Sequence, residues 1–151
     1  MDQIISKEQL NNKHIMAIDY GQKVTGIATY KVGIDPYPLV WGKVLYQDDN
    51  QLTKELISII DDECIDYVVI GIPFFTDGKE SSMTKTIKSF VTQFEKATEC
   101  QIFTIDETLT TFEAEERMKQ DPRYNFKVDP KKIDELCATI ILEQFLKNSS
   151  D

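Results

Sequence analysis

Histidine is almost absent from this sequence, since His14 is the one histidine among 151 residues. A catalytic triad built on histidine, or a metal site built on several histidines, is therefore disfavoured. As a lone residue at the start of a predicted strand, His14 is expected to have a structural role.

Cysteine is also scarce, and its spacing matches no metal-binding motif. Cys64, Cys100 and Cys137 are widely separated, and an odd number suits no closed disulfide framework. We expect them to be reduced core residues of a cytoplasmic protein.

Long hydrophobic runs are missing too. The longest, YVVIGIPFF at 67–75, is far too short to span a bilayer. The first residues, MDQIISKEQLNNK, are polar and mixed in charge, unlike a targeting peptide. We therefore expect no membrane partner, a polar leader over 1–13, a single domain over 14–147 and a short tail over 148–151.

Positive charge is in deficit, with 17 lysines and arginines against 26 acidic residues and a net charge of −9. This balance argues against a surface coated for nonspecific binding to nucleic acid or membranes, although a local basic patch remains open. With 41% hydrophobic residues, the chain is long enough to fold around one core.

The hydrophobic patterning predicts an α/β fold. Three strands come first, and later strands alternate with helices, so the pattern indicates an antiparallel meander followed by parallel strands in a mixed five-stranded sheet with helices on both faces. The predicted strands are 14–20, 24–31, 38–46, 67–73 and 100–105, and the predicted helices are 52–63, 82–97, one from a Thr110–Glu113 capping box, and one opened by Asp129 and Pro130.

Three carboxylates are predicted to meet at one end of this sheet. Asp19 lies at the end of the first strand, Glu107 just past the last strand, and Asp134 about one turn into the final helix on its apolar stripe. Each has an ordinary alternative: a turn acceptor for Asp19, a helix-dipole partner for Glu107, and a surface pair with Lys131 for Asp134. Only their combination favours a functional site.

Acidic side chains brought together repel one another unless a cation lies between them. Magnesium, or manganese in its place, takes oxygen ligands and shares its coordination shell with substrate phosphates. Two such ions can activate water and stabilise the leaving oxygen in phosphodiester cleavage. The combination of acids therefore favours a metal site.

Four blocks of sequence carry a family resemblance: MAIDYGQKVTGIA (16–28), YVVIGIPFFTDGKES (67–81), FTIDETLTTFEAEE (103–116) and KKIDELCATIILEQFL (131–146). In this order and spacing, the chain resembles the YqgF/RuvX family of the ribonuclease H-like superfamily. The resemblance implies a ribonuclease H-like fold and a metal-dependent nuclease site on Asp19, Glu107 and Asp134. It also implies 5′-end maturation of pre-16S ribosomal RNA or, as the alternative, Holliday junction resolution in branched DNA.

The sequence departs from the family pattern at two positions. Val24 and Thr108 stand where the family usually has arginine. Both arginines would lie near the cleft and could contact phosphate. The acids are retained, so the nuclease interpretation is kept.

Lysine and arginine contacts to phosphates supply most of the affinity for nucleic acid. The segment 119–132 has a charge of +3 and includes Tyr124 and Phe126, which either stack on bases or pack beneath the loop as a satellite core. A second segment, 79–96, is expected to be ordinary surface, although amides near Ser81 could bind phosphate. The predicted nucleic-acid contacts are Lys23, Arg123, Lys127, Lys131 and Lys132.

Two other functions remain open. IDYGQKVTG resembles the first phosphate loop of the actin and sugar kinase superfamily, but 151 residues supply only one of the two lobes that bind nucleotide there. A noncatalytic binding module would suit the missing arginines but does not need three retained acids. Junction resolution would also require a homodimer, which the sequence does not establish.

Overall fold

The computed structural model describes residues 5–108 and 110–149 and is built around one mixed five-stranded sheet. The strands are β1 His14–Asp19, β2 Val24–Lys31, β3 Leu39–Leu45, β4 Tyr67–Ile72 and β5 Gln101–Asp106. The helices are α1 Lys7–Leu10, α2 Asp49–Glu63, α3 Ser82–Ala97, α4 Thr110–Lys119 and α5 Ile133–Lys147, with a 3₁₀ turn at Pro122–Tyr124.

The strand order is β3-β2-β1-β4-β5, which confirms the predicted topology. β1 pairs with β2 and β2 with β3 in antiparallel register, whereas β4 runs parallel to both β1 and β5. The carboxyl ends of β1, β4 and β5 therefore lie at the same edge of the sheet, where open α/β sheets form their sites.

The two faces of the sheet bury separate clusters of apolar side chains. Because successive side chains of a strand alternate between faces, Met16 and Ile18 of β1 pack beneath α2 and α3. Ile15 and Ala17 instead pack beneath α5. Helices thus cover both faces, as predicted, and Asp19 continues the row that faces α5.

Most predicted elements begin and end within a few residues of the observed ones, and β2 and α3 match the prediction. α2 begins earlier than predicted, because the Asp48 side chain accepts a hydrogen bond from the Gln51 amide and caps the helix there. The leader also contains structure, since Leu10 of α1 and Ile5, which precedes α1, are buried against the α5 face.

Two predicted helix caps are wrong, although α4 does begin at Thr110 as predicted. Asp129 does not cap α5, because Asp129 accepts hydrogen bonds from the Lys131 and Lys132 amides in a separate turn, and the helix begins only at Ile133. The Thr110–Glu113 capping box is not formed either. Thr110 is already helical, and its buried hydroxyl has no hydrogen-bond partner.

No helix within residues 5–108 and 110–149 has the length and hydrophobicity needed to cross a bilayer.

Candidate active site

Asp19 is the last residue of β1 and lies in the middle of the sheet. It is paired across the sheet with Gly26 of β2, and its side chain is partly buried on the α5 face. A carboxylate at this position is costly because the surrounding strands and helix displace most of its water.

Glu107 follows β5 directly and is nearly buried, with 9% of its surface exposed. Its amide donates a 3.0 Å hydrogen bond to the Ile72 carbonyl of β4, which extends the parallel ladder by one residue past β5. Its carbonyl accepts a 2.9 Å hydrogen bond from the Thr110 amide at the start of α4. The backbone of Glu107 is therefore fixed on both sides.

Asp134 is the second residue of α5 and is partly buried. The helix packs so closely on β2 that a Cβ built on Gly26 would lie 2.1 Å from the Asp134 carbonyl oxygen. Gly71 of β4 has a comparable role, since a Cβ there would lie 2.6 Å from Ile141 Cδ1 and 3.1 Å from Glu107 Cβ. The two glycines allow α5 to place Asp134 beside the strand ends.

The structure thus brings the three predicted acids to the same end of the α5 face, close enough to interact electrostatically. Burial, then the charges of Glu107 and Asp134, raise the pKa of Asp19 well above its ordinary value, and a hydrogen bond from the Cys137 thiol acts in the opposite direction. Burial, then Asp106 and Asp134, raise the pKa of Glu107 to about 7. Burial also raises the pKa of Asp134, against the lowering effect of Lys43.

These carboxyls suit a hard divalent cation in their chemistry. They offer oxygen ligands, and their ionised forms are destabilised by burial and mutual repulsion, both of which a bound cation would relieve. Within the described part of the chain, no three His, Cys, Asp or Glu side chains already form a metal-ligand cluster. The donor set fits such an ion, although the ligands are not prearranged.

Two polar residues of this site were not identified from the sequence. Cys137 is buried one turn after Asp134, and burial followed by the charge of Asp19 raises the pKa of its thiol. Lys43 of β3 donates a 3.1 Å hydrogen bond from Nζ to the Lys131 carbonyl, just before α5. Cys137 shares the apolar stripe of α5 and reads as an ordinary core residue, while Lys43 is recognisable only once the pairing of β2 with β3 is known.

The predicted nucleic-acid contacts lie in two places. Lys23 is exposed in the turn between β1 and β2, whereas Lys127, Lys131 and Lys132 are exposed in the connection between α4 and α5. Arg123 is exposed in the same connection but forms a 2.7 Å ion pair with Asp121. One of the five cations therefore already has an acidic partner, and the nucleic-acid contacts of all five stay a prediction.

The aromatic residues of this connection differ in exposure. Phe126 is 59% exposed and has a positive φ of 59°, so it is not part of a satellite core beneath the loop. Tyr124 is partly buried.

The segment 79–96 contains one internal ion pair and a capped helix start. Lys88 pairs with Glu80. The Ser81 hydroxyl accepts a 3.1 Å hydrogen bond from the Thr84 amide, which occupies one of the amides proposed to bind phosphate. These contacts agree with the expectation of ordinary surface.

Comparison with known sequences gives a consistent family match. The family model described as "RuvX: Holliday junction resolvase" matches residues 13–148. Two relatives carry the name "Putative pre-16S rRNA nuclease". The protein of Oleidesulfovibrio alaskensis is 28% identical over 90% of this chain and 93% of its own length. That of Synechococcus elongatus is 31% identical over 87% of each chain.

Several solved structures with a similar fold are resolvases. Thermus thermophilus RuvC, in complex with a Holliday junction substrate, superposes with a TM-score of 0.59 at 12% identity over 89% of this chain and 94% of its own. The yeast mitochondrial Holliday junction resolvase Ydc2 gives a TM-score of 0.58 at 11% identity over 96% of this chain and 80% of its own. At these identities the likeness establishes a ribonuclease H-like fold.

Proposed function

The chain belongs to the RuvX family, and from that premise we propose that it is a metal-dependent nuclease. Its Asp19, Glu107 and Asp134 hold Mg²⁺ or Mn²⁺, and its substrate is the 5′ end of pre-16S ribosomal RNA. The observation that carries the proposal is the meeting of these three acids, from β1, from the residue after β5, and from α5, at one end of the sheet.

The three carboxylates would bind the cation through their oxygens. A bound divalent cation, or a pair of them, supplies a nucleophilic water at neutral pH and stabilises the leaving oxygen of a phosphodiester. Asp19 and Glu107 are fixed by the sheet and Asp134 by a long helix, so the ligands start from rigid elements. Because the pKa of Glu107 is raised to about 7, a cation that binds this carboxylate near neutral pH displaces the proton from the fraction of molecules that retain it.

The substrate assignment rests on sequence similarity rather than on fold. The relatives named for pre-16S ribosomal RNA are 28% and 31% identical to this chain over most of its length, whereas the resolvase structures are only 12% and 11% identical. The more similar proteins favour RNA processing. Such an activity belongs in the cytoplasm, in agreement with the three unpaired cysteines.

Holliday junction resolution is the second candidate, since it is named in the family description and in the titles of the resolvase structures. Cutting two strands of one junction requires two active sites, so this activity would need a homodimer. Single-stranded precursor RNA needs only one site.

Both candidates can be tested in one assay. Labelled pre-16S ribosomal RNA and a labelled four-way DNA junction would be incubated with the protein in Mg²⁺, in Mn²⁺ and in EDTA. The mass of the protein in solution would be measured by light scattering. We expect metal-dependent cleavage of the RNA near its 5′ end, and cleavage of the junction by a dimer would favour the second candidate.

The matched variants are Asp19→Asn and Asp61→Asn, the latter changing an exposed aspartate of α2. Asp19→Asn should lower cleavage about 100-fold or more because it removes a ligand, and Asp61→Asn should leave it unchanged. Equal cleavage by the wild type and Asp19→Asn would contradict the nuclease proposal.

A further inference from the structure

Lys43 lies in the same row of the sheet as Asp19. Asp19 of β1 is paired with Gly26 of β2, and Gly26 is paired in turn with Lys43 of β3. Residues directly opposite one another in neighbouring strands project to the same face, so Lys43 faces α5 as Asp19 does. Neighbouring strands are about 4.8 Å apart, which puts the backbones of Asp19 and Lys43 roughly 10 Å from each other.

The residue between them has no side chain. Gly26 leaves the middle of the row open, and the Asp134 backbone at the start of α5 fills that space. On the far side of it, Lys43 Nζ donates its 3.1 Å hydrogen bond to the Lys131 carbonyl. The lysine is therefore held beside the N-terminal turn that carries Asp134, and its charge acts on the Asp134 carboxyl.

The Lys43 ammonium keeps capacity for another partner. An ammonium group has three donors, and the Lys131 carbonyl uses one of them. The residue is exposed, so an incoming phosphate can reach the remaining donors. Val24, which is diagonal to Lys43 on the same face because it pairs with Leu45, brings no charge to this part of the sheet.

We propose that Lys43 contacts a phosphate of the nucleic-acid substrate next to Asp134 and so positions the backbone at the three carboxylates. The proposal rests on the proposed nuclease function. It assigns to this site a cation that lies outside the segments 79–96 and 119–132. Its geometric basis is the Asp19–Gly26–Lys43 row together with the hydrogen bond from Lys43 to the turn before α5.

The test measures binding without turnover. Asp19→Asn is the parent, so that bound substrate is not cut, and Lys43→Ala, Lys43→Arg and Lys54→Ala are added to it. Lys54 is an exposed lysine of α2 and serves as the matched control. Dissociation constants for a fluorescein-labelled single-stranded RNA and for a labelled four-way DNA junction are measured in EDTA over a range of KCl concentrations.

The slope of log affinity against log salt reports how many phosphates the protein contacts. Losing one contact should make this slope shallower by about 0.7 for a single strand and about 0.9 for duplex arms. We expect that change for Lys43→Ala with the preferred substrate, the parental slope for Lys43→Arg, and no change for Lys54→Ala. A lysine that only tethers α5 would weaken binding at every salt concentration without changing the slope.

An unchanged slope for Lys43→Ala overturns the proposal, and so does a parent that binds neither probe. Failure of the nuclease function appears separately, as absence of metal-dependent cleavage by the wild-type protein. If the wild type does not cleave but Lys43→Ala still loses one phosphate contact, Lys43 is a nucleic-acid contact of a noncatalytic protein. If the wild type cleaves and the slope is unchanged, only the assignment of Lys43 fails.

Discussion

At the scale of single residues, the site is defined by carboxyl groups that are held in positions where ionisation is unfavourable. Asp19 ends a central strand and Glu107 is nearly buried, and burial is the largest cause of the raised pKa of each. The same positions could be selected from sequence, because an acid at the end of an apolar strand breaks the local pattern. The electrostatic interaction among these acids could not be predicted from sequence, because it depends on how closely α5 approaches the sheet.

Asp19→Asn should stabilise the metal-free protein while abolishing cleavage. The amide removes one charge from a group of acids that repel one another, so we expect the free energy of unfolding at pH 8 to rise by about 1 to 2 kcal/mol. Urea denaturation in EDTA measures this difference. The surface variant Asp61→Asn should change it by less than about 0.5 kcal/mol, and a destabilised Asp19→Asn protein would contradict the account.

The stability of the metal-free protein should also fall as the pH rises through the titration of Glu107. The native state holds this proton up to a pKa of about 7, against an ordinary value of 4.5, so the folded protein binds more protons than the unfolded chain between these values. Unfolding therefore becomes easier with rising pH in that window, by about 3 kcal/mol in total for this group.

The measurement is the difference in unfolding free energy between the wild type and Glu107→Gln from pH 4 to 8. Glu107→Gln cannot ionise, so its relative stability should increase through the window. A difference that stays constant with pH would show that Glu107 titrates normally.

At the scale of secondary-structure elements, the position of α5 decides whether the acids meet. The helix was predictable from its apolar spacing, and Ala138, Ile141 and Phe145 on the stripe of Asp134 are buried as expected. The start of α5 was not predictable, because Asp129 and Pro130 resemble a helix N-terminus but form a separate turn. The roles of Gly26 and Gly71 depend on the approach of another element, which sequence spacing does not report.

Gly26→Ala should displace α5 and reduce both stability and activity. The new methyl group would meet the Asp134 backbone, which cannot rotate away as a side chain can. Overpacking of this kind costs about 1 to 3 kcal/mol, and movement of Asp134 should reduce cleavage further. Thermal unfolding and the RNA assay measure the two effects, and a fully active, equally stable variant would show that the close contact is not needed.

Two buried threonines offer a matched pair for testing hydrogen bonding within the elements. The Thr53 hydroxyl in α2 has no partner, whereas the Thr25 hydroxyl in β2 donates a 3.2 Å hydrogen bond to the Gly21 carbonyl. Thr53→Val should raise the free energy of unfolding by about 1 kcal/mol, because it removes a buried unsatisfied group, and Thr25→Val should lower it by a similar amount. Both are measured by urea denaturation, and equal effects of the two changes would refute this assignment.

At the scale of the whole molecule, an acidic protein must bind an anionic polymer. The net charge of −9 opposes association, so affinity has to come from cations placed at the site and, under the proposed function, from metal ions bound by the acids. Topology was predictable at this scale, because the order of strands and helices admits few arrangements. The position of Lys43 was not predictable, because it comes close to Asp134 only through strand pairing, and neither was the ion pair of Arg123 with Asp121.

A crystal soaked in MnCl₂ would show whether Asp19, Glu107 and Asp134 jointly hold a divalent cation. Anomalous diffraction at the manganese edge identifies the ion independently of any activity. We expect a manganese peak coordinated by oxygens of all three carboxylates in the wild type and loss of that peak in Asp19→Asn. Manganese bound only at other acids, or three carboxylates that stay apart without an ion between them, would contradict this expectation.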